Sequence, residues 1–201
     1  AVRAAGSIPP QSDWIFIVRQ DDLDRHPVEK TLRNFHAGCS ILGVGQTTSG
    51  QAATCMLAAD LVDDDAQLMI ASCDYETMFN PLAWADLLND RSIDGVIWTV
   101  RTKGLPVKNP EAFAYCKVSE DGKTITEVVE KATISENPEL DPLVVGTFWY
   151  RRAGDFKRGA AHLIDNDITV NGEHYVATSI NHLIDRGARF VIFDIEQWIS
   201  F

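Results

Sequence analysis

Three groups of polar residues follow segments that we predict to be buried strands, and each could bind part of a phosphorylated ligand. The first is Thr48-Ser49-Gly50-Gln51-Ala52, a turn of small residues that leads into a predicted helix. Gly50 allows the backbone to approach a ligand closely, and Gln51 offers an amide donor and a carbonyl acceptor that can match the edge of a nucleobase. A helix start capped by Ser49 or Thr48 explains the same pattern equally well.

A lone carboxylate forms the second group. Asp74 follows the apolar run Leu68-Met69-Ile70-Ala71 after Ser72 and Cys73. We expect it at the tip of a strand, facing the crevice where parallel strands end. A carboxylate in that place can hold a divalent cation between phosphate groups. A helix N-cap or a turn aspartate is the alternative interpretation of this spacing.

The adjacent pair Glu130-Lys131 forms the third group, at the end of a predicted strand. Alternation sends the two side chains to opposite faces only if the strand continues through both residues. At a bend from strand to loop, both can reach one ligand, with the carboxylate accepting sugar hydroxyls and the ammonium contacting a phosphate. An exposed charge pair is the ordinary alternative.

Other polar residues are weaker candidates. Asp63-Asp64-Asp65 contains the D-x-D spacing of many metal-nucleotide sites, but it follows a predicted helix and precedes a strand. It should therefore form a solvated turn on the edge opposite the crevice. None of the histidines has a partner at zinc-ligand spacing, and no catalytic serine motif or G-x-x-x-x-G-K-[ST] loop is present. The histidines are His26, His36, His162, His174 and His182.

Alternating strands and helices must position these groups. In the first half, we predict strands over residues 14–18, 39–44, 68–71 and 95–100, and helices over 22–35, 51–61 and 81–88, with Pro27 in the first turn of its helix or dividing it. This order implies a parallel sheet with right-handed crossovers.

The second half changes character. The turn Glu120-Asp121-Gly122-Lys123 separates residues 113–118 and 124–130, which predicts an antiparallel hairpin. Further strands are expected over 143–150 and 189–195, and helices over 155–164 and 175–184. We therefore predict a mixed, mainly parallel, Rossmann-like α/β sheet flanked by helices, with an antiparallel hairpin in its second half.

Composition limits the classes of partner. The chain has 201 residues, of which 45% are hydrophobic, as expected for a single domain with a sizeable core. Lys and Arg number 18 against 29 Asp and Glu, and the net charge of -11 disfavours nucleic acid and anionic membranes as partners. The four cysteines are spread through apolar segments, and no signal peptide precedes them. We expect reduced thiols and a cytoplasmic protein.

The order of these pieces resembles the nucleotide-sugar pyrophosphorylases, the family of sugar-1-phosphate nucleotidyltransferases. The resemblance covers nearly the whole chain, although each motif is loose by itself. It rests on Gly50-Gln51-Ala52, Leu68-Met69-Ile70-Ala71-Ser72-Cys73-Asp74, Phe113-Ala114-Tyr115-Cys116-Lys117-Val118, Glu127-Val128-Val129-Glu130-Lys131, Val145-Gly146-Thr147-Phe148-Trp149-Tyr150 and Gly172-Glu173-His174-Tyr175-Val176.

The resemblance implies an enzyme that joins a sugar 1-phosphate to a nucleoside triphosphate and releases pyrophosphate, for polysaccharide or glycoconjugate synthesis. The sugar-phosphate oxygen would attack the α-phosphorus in line, helped mainly by positioning and by charge neutralisation. The implied roles are base contacts by Gly50 and Gln51, Mg²⁺ binding by Asp74, catalysis by Asp74 and Lys131, and sugar-phosphate or sugar contacts by Glu130, Lys131, Gly146, Glu173 and Tyr175.

The chain departs from the family pattern in two places. The family's phosphate loop, G-x-G-x-R, should follow a first strand upstream of Ala1, and Arg3 and Gly6 do not rebuild it. The family's second metal carboxylate should lie in Trp198-Ile199-Ser200-Phe201, where Ser200 stands in its place. We therefore expect residues 1–201 to be one nucleotidyltransferase-like domain that is truncated at both ends and inactive alone, unless another chain fills the gap.

Two alternative functions stay open. Without the phosphate loop, the chain could be a regulatory module that binds a sugar nucleotide without turnover. Asp74-Tyr75-Glu76 also has the acidic spacing of a metal-dependent glycosyltransferase with the related nucleotide fold. The sequence does not determine which sugar and which base are used. It also leaves the oligomeric state open, and a homo-oligomer is one option.

Overall fold

The structure is a computed structural model that describes residues 1–102 and 107–200. Its α-helices are α1 (Val2–Ala5), α2 (Gln20–Arg25), α3 (Val28–Phe35), α4 (Gln51–Met56), α5 (Pro81–Asn89), α6 (Ala153–Asp165) and α7 (Val176–Ile184). Its strands are β1 (Ile15–Arg19), β2 (Ser40–Val44), β3 (Leu68–Ala71), β4 (Tyr75–Met78), β5 (Gly95–Val100), β6 (Ala114–Val118), β7 (Ile125–Glu130), β8 (Leu143–Tyr150), β9 (Phe190–Asp194) and β10 (Gln197–Ser200). None of the helices in these ranges is long and apolar enough to cross a membrane.

Most predicted elements are present, and their differences have local causes. The predicted helix 22–35 is divided at Pro27, which precedes α3, because proline lacks the N–H that an interior helical position needs. The helix predicted over 51–61 ends as an α-helix at Met56, and a separate 3₁₀ turn covers Ala59–Leu61. Strands β4 and β10 were not predicted; they pair antiparallel with each other.

The strands form three sheets. Strand β1 pairs in parallel with β2, and this small sheet has no ladder to the others in the described ranges. The main sheet has the order β7-β6-β8-β5-β9, and β3 also pairs with β8. Thus β1 and β3 each pair along one edge only among the described strands. The resemblance to the family predicts a further strand upstream of Ala1.

The mixed α/β class and the hairpin are confirmed, but the sheet is not mainly parallel in its pairing. Only β1–β2 and β5–β9 are parallel pairs among the described strands. The reason is β8, which runs antiparallel to β3, β5 and β6. Those three strands and β9 therefore share one direction, as the alternation of strands and helices predicted for β3 and β5, and β8 runs between them in reverse.

The two faces of the main sheet are buried differently. Along β5, Trp98 packs with Trp84 of α5 and with Phe193. The preceding residue, Ile97, faces the other side of the sheet, where it belongs to the cluster that includes Ile180 of α7. This two-residue alternation is what a strand covered on both sides requires. It holds β8 in the middle of the molecule, with every residue buried except Gly146.

The register along one edge of β8 leaves a gap that becomes important for the site. Strand β3 ends with Ala71 opposite Thr147, whereas β6 pairs with the same edge through Tyr115 opposite Leu143. These two pairings are four positions apart along β8, a distance of about 13 Å. The loop after β3 and the start of β6 therefore face each other across residues 144–146.

Helix α7 is tied to the outer strand β7 by one side chain. The Val128 N–H donates to the Asn181 Oδ1 over 2.7 Å, and the Asn181 Nδ2 donates to the Val128 carbonyl over 2.8 Å. The amide thus replaces the neighbouring strand that β7 lacks on this edge. Because Glu130 lies two residues beyond Val128, this contact fixes the end of β7.

Replacing Asn181 should therefore destabilise the fold in a graded way. Asn181→Ala leaves two polar groups of Val128 unpaired, at an expected cost of about 2–3 kcal/mol in the free energy of unfolding. Asn181→Asp still accepts one hydrogen bond and should lose less. Urea denaturation measures both, with Asn89→Ala, at the exposed end of α5, as the control. A loss below about 0.5 kcal/mol for Asn181→Ala would contradict this role.

Candidate active site

The end of β7 bends sharply at the predicted charge pair. Lys131 has a φ of 57°, a left-handed conformation that is unfavourable for a residue with a side chain. Its N–H donates to the Phe113 carbonyl over 2.9 Å, and its Nζ donates to the Ala112 carbonyl over 2.5 Å. The structure therefore has the strand-to-loop bend at which Glu130 and Lys131 can serve one ligand.

Two carboxylates, a phenol and an ammonium meet at this bend. The Lys131 Nζ lies 3.9 Å from the Glu130 Oε1 and 5.2 Å from the centre of the Tyr175 ring. Glu130 is almost covered, with 6% of its side chain exposed. Burial raises the pKa of Glu130 to about 7, and nearby Glu173 adds to the rise while Lys131 opposes it. Burial and a hydrogen bond to Glu173 raise the pKa of Tyr175 to about 12.

The predicted base-binding turn lies against the same loop. Gly50 precedes α4 with a φ of 124°, and a Cβ there would lie 2.5 Å from the backbone nitrogen of His174. Glycine is thus required both by conformation and by close approach. Gln51 begins the helix and is half-buried, and its amide has no hydrogen-bond partner within residues 1–102 and 107–200.

A cavity of about 360 Å³ lies beside this turn. It is lined by the carboxyl ends of β1 and β2 and by Thr47, Thr48 and Thr54. Ligands of open α/β sheets bind at this end of the strands, and the volume lies within the range of small-molecule sites. The turn therefore has space for a nucleoside-sized group on its outer side.

Asp74 lies in the exposed loop between β3 and β4, three residues beyond the end of β3. Its Oδ1 accepts a hydrogen bond from the Ser72 hydroxyl. The Ser72 N–H donates to the Gly146 carbonyl over 2.9 Å, and a Cβ on Gly146 would lie 3.0 Å from the Ser72 Cβ. Gly146 has a φ of 75°. The predicted sugar-contacting glycine and the predicted metal-binding carboxylate therefore lie side by side.

Tyr75, Trp198 and Phe113 form a row of contacting aromatic rings. The Trp198 ring lies 4.8 Å from Tyr75 and 5.7 Å from Phe113, between ring centres. Tyr75 adjoins Asp74 in the chain, and Phe113 accepts the N–H of Lys131. Asp74 and Lys131 are thus at the two ends of one continuous structure.

The position predicted for the second metal carboxylate lies close to Asp74. Strand β10 places Ser200 opposite Tyr75, one residue from Asp74, and the adjacent Phe201 lies outside the described residues. No group of three or more His, Cys, Asp or Glu side chains could hold a metal ion within those residues. The described residues offer Asp74 as one carboxylate here, and Mg²⁺ in proteins is commonly held by one or two carboxylates plus substrate phosphates.

The weaker candidates are engaged elsewhere. Asp64 pairs with Lys157 over 2.6 Å and Asp65 pairs with Arg152 over 2.7 Å, so the acidic triplet contacts the start of α6, as a turn. Glu76 forms an ion pair with Arg3.

Sequence reasoning missed three parts of the site. Ser72 supports Asp74, Trp198 lies in an unpredicted strand, and His174 joins the two ligand-binding loops. No spacing pattern marks these residues: Trp198 and His174 act through partners distant in sequence, and the Ser72 hydroxyl bonds to Asp74 two residues away. The resemblance did quote His174 within a motif, but it assigned a role only to its neighbours Glu173 and Tyr175.

The structure resembles several solved structures. The nucleoside-diphosphate-sugar pyrophosphorylase from Vibrio cholerae RC9 matches with a TM-score of 0.72 and 20% identity, over 99% of this chain and 79% of that chain. The inositol-1-phosphate CTP transferase from T. maritima matches with a TM-score of 0.67 and 13% identity, over 94% of this chain and 69% of that chain. A UDP-glucose pyrophosphorylase complexed with UDP-glucose matches with a TM-score of 0.62 and 12% identity, over 90% of this chain and 73% of that chain.

These matches show that the chain has the fold of sugar-phosphate nucleotidyltransferases, and they confirm the resemblance predicted from its motifs. Neither a protein-family model nor a curated protein matches the sequence. At such low identity the fold is established by shape, and the roles of individual residues depend on the geometry described above.

The raised pKa of Glu130 predicts a specific dependence of stability on pH. In the unfolded chain a Glu carboxyl has a pKa of 4.5, against about 7 in the fold. The folded state therefore holds an extra proton between these values, and its stability falls as the pH rises through that window. Glu130→Gln removes this loss and should raise the free energy of unfolding at pH 8 by about 1–3 kcal/mol.

Urea denaturation at a series of pH values measures this effect. Glu120→Gln, in the exposed hairpin turn, is the matched control and should keep the native pH dependence. Parallel pH profiles for the native chain and Glu130→Gln would show that Glu130 is not protonated near neutral pH.

Proposed function

We propose that this chain is a nucleotidyltransferase that joins a sugar 1-phosphate to a nucleoside triphosphate and releases pyrophosphate. Its fold, shared with such enzymes, supports the general reaction. The observation that carries the assignment to this site is the gap along β8. Asp74 lies at one end of the gap and Lys131 at the other, with Gly146 between them on β8.

The nucleotide end of the ligand is assigned to the turn at Gly50 and Gln51. The half-buried amide of Gln51 offers both a donor and an acceptor to a base edge, and the cavity beside Thr48 accepts the nucleoside. Because Gly50 has no side chain, the backbone of this turn can approach the ligand closely.

The sugar end is assigned to Glu130, Gly146, Glu173 and Tyr175. A carboxylate accepts hydrogen bonds from hydroxyl groups without strict geometry, and two carboxylates here surround a single ammonium. Gly146 is only partly buried and has no side chain, which would allow a sugar to lie directly on β8. The Tyr175 ring, beneath the Lys131 Nζ, closes this side.

Charge neutralisation between the two ends is assigned to Asp74 and Lys131. Asp74 would hold Mg²⁺ against the phosphates, and the ion supplies positive charge that stabilises the crowded anionic oxygens. Lys131 is positioned by the Ala112 carbonyl and can donate to the sugar phosphate. Proper alignment of the sugar-phosphate oxygen with the α-phosphorus then lowers the barrier for in-line attack.

The product of this reaction is an activated sugar. We assign it, on the same resemblance, to polysaccharide or glycoconjugate synthesis in the cytoplasm, with nucleoside triphosphate and sugar 1-phosphate as the small-molecule partners. The strongly negative net charge of -11 is consistent with the absence of nucleic acid from this set.

A sugar-nucleotide-binding module without turnover is the second candidate. Ser200 beside the Asp74 loop favours it, because a hydroxyl binds Mg²⁺ less strongly than the carboxylate that the family places there. The glycosyltransferase alternative is weaker, since Glu76 pairs with Arg3.

Binding and turnover distinguish the two candidates. The chain should bind at least one of UDP-glucose, ADP-glucose, dTDP-glucose, CDP-glucose and GDP-mannose in calorimetry with Mg²⁺. Lys131→Met should weaken binding about tenfold or more through loss of a charged hydrogen bond, whereas Lys123→Met, in the exposed hairpin turn, should not.

Asp74→Asn should remove the gain in affinity from Mg²⁺ without unfolding the chain, and Gln51→Ala should reduce discrimination among bases.

Release of pyrophosphate from the matching triphosphate and sugar 1-phosphate then identifies an enzyme. Binding without release identifies the module. Failure to bind any of the five ligands, by a chain that unfolds cooperatively, would overturn both candidates.

A further inference from the structure

His174 connects two loops that the proposed function assigns to opposite ends of the ligand. It lies between Glu173 and Tyr175 on the sugar side and contacts Ser49 and Gly50 on the nucleotide side. The residue is buried, with 5% of its surface exposed. It is also 125 positions away from Ser49 in sequence, so its contacts determine how the two loops are placed relative to each other.

The backbone of His174 forms half of this connection. Its N–H donates to the Ser49 carbonyl over 2.7 Å, and its carbonyl accepts the Ala52 N–H over 2.9 Å. Gly50 lies between these two hydrogen bonds, so close that a Cβ would be 2.6 Å from the His174 carbonyl oxygen. The two loops are therefore paired like short strands.

The imidazole supplies the other half. Its Nδ1 lies 3.0 Å from the Ser49 Oγ and 3.2 Å from the Ser49 carbonyl oxygen. The carbonyl oxygen can only accept, so that contact requires a proton on Nδ1, whereas the hydroxyl can donate to this nitrogen or accept from it. The buried Nε2 has no hydrogen-bond partner within residues 1–102 and 107–200, and its nearest carboxylate oxygen, of Asp167, is 3.9 Å away. The side chain thus acts toward Ser49 through Nδ1.

We propose that His174 is a positioning residue that sets the distance between the nucleotide-binding turn and the sugar-binding residues. This inference rests on the proposed function. A ligand that spans both loops depends on their separation, whereas a ligand that occupies one loop does not. His174 therefore couples the two halves of the site and favours a nucleoside and a sugar that are joined through phosphates.

Two substitutions separate the role of Nδ1 from that of bulk. Asparagine places an amide N–H close to the position of the histidine Nδ1, whereas glutamine places its amide close to Nε2. His174→Asn should keep the contact to Ser49, and His174→Gln should lose it. His26→Gln, at the exposed end of α2, is the matched control for the chemical change.

Calorimetry with the tightest binder of the five nucleoside diphosphate sugars measures the coupling. The same variants are titrated with its nucleoside monophosphate and with its sugar 1-phosphate. His174→Gln should weaken the joined ligand about tenfold and each half less than about twofold, since one lost hydrogen bond corresponds to that factor. His174→Asn and His26→Gln should stay within about twofold of the native chain for all three ligands.

Amide hydrogen exchange tests the connection without any ligand. In His174→Gln, the Ala52 and residue 174 amides should exchange about tenfold faster, while the Thr54 amide, bonded to the Gly50 carbonyl within the turn, should not change. Faster exchange with no binding by the native chain would reject the proposed function but keep the connection. Equal loss for joined and half ligands, or unchanged exchange, would overturn the positioning role.

Discussion

The register of β8 is the constraint on which the site depends. Its edge is occupied by β3 as far as Thr147 and by β6 at Leu143, and the core on both faces prevents it from sliding, because a shift by one residue would exchange every buried side chain. On that edge Val144 and Val145 have no strand partner among the described residues, and the Gly146 carbonyl accepts the Ser72 N–H. Gly146 is the one residue of β8 that is not buried, and the Asp74 loop contacts it through Ser72.

Charge explains why this opening suits an anionic ligand despite the acidic chain. At the bend, Lys131 lies beside Glu130, Glu173 lies nearby, and burial raises the pKa of Glu130 to about 7, so that its carboxyl is partly protonated near neutral pH. The left-handed conformation of Lys131 is unfavourable by itself, but hydrogen bonds to the carbonyls of Ala112 and Phe113 hold it in place. The ammonium is thereby fixed before any phosphate arrives, which reduces the reorganisation needed on binding.

Local apolar patterns in the sequence predicted the bounds of β3, β5 and β8, which agree with the structure; β5 and β8 are buried on both faces, whereas β3 is only partly buried. The break of the helix at Pro27 and the hairpin turn at residues 120–123 were also predictable, because each depends on the local sequence. The sequence could not show that β8 runs against its neighbours, since strand direction depends on long-range packing. For the same reason, the spacing of residues in the sequence could not predict the contacts of His174 with Ser49 and of Trp198 with Phe113. The site roles themselves rest on the resemblance.

The most direct test of the central claim is a map of amide chemical shifts during titration with the nucleoside diphosphate sugar that binds. If one ligand lies across the gap along β8, the amides of Gly50, Asp74, Lys131, Gly146 and Glu173 should all shift with a single dissociation constant. The amides of Asp64 and Asp90, which lie in ion pairs away from the gap, should not move. Shifts confined to one of the loops, or different constants for the Gly50 and Lys131 groups, would contradict a shared site.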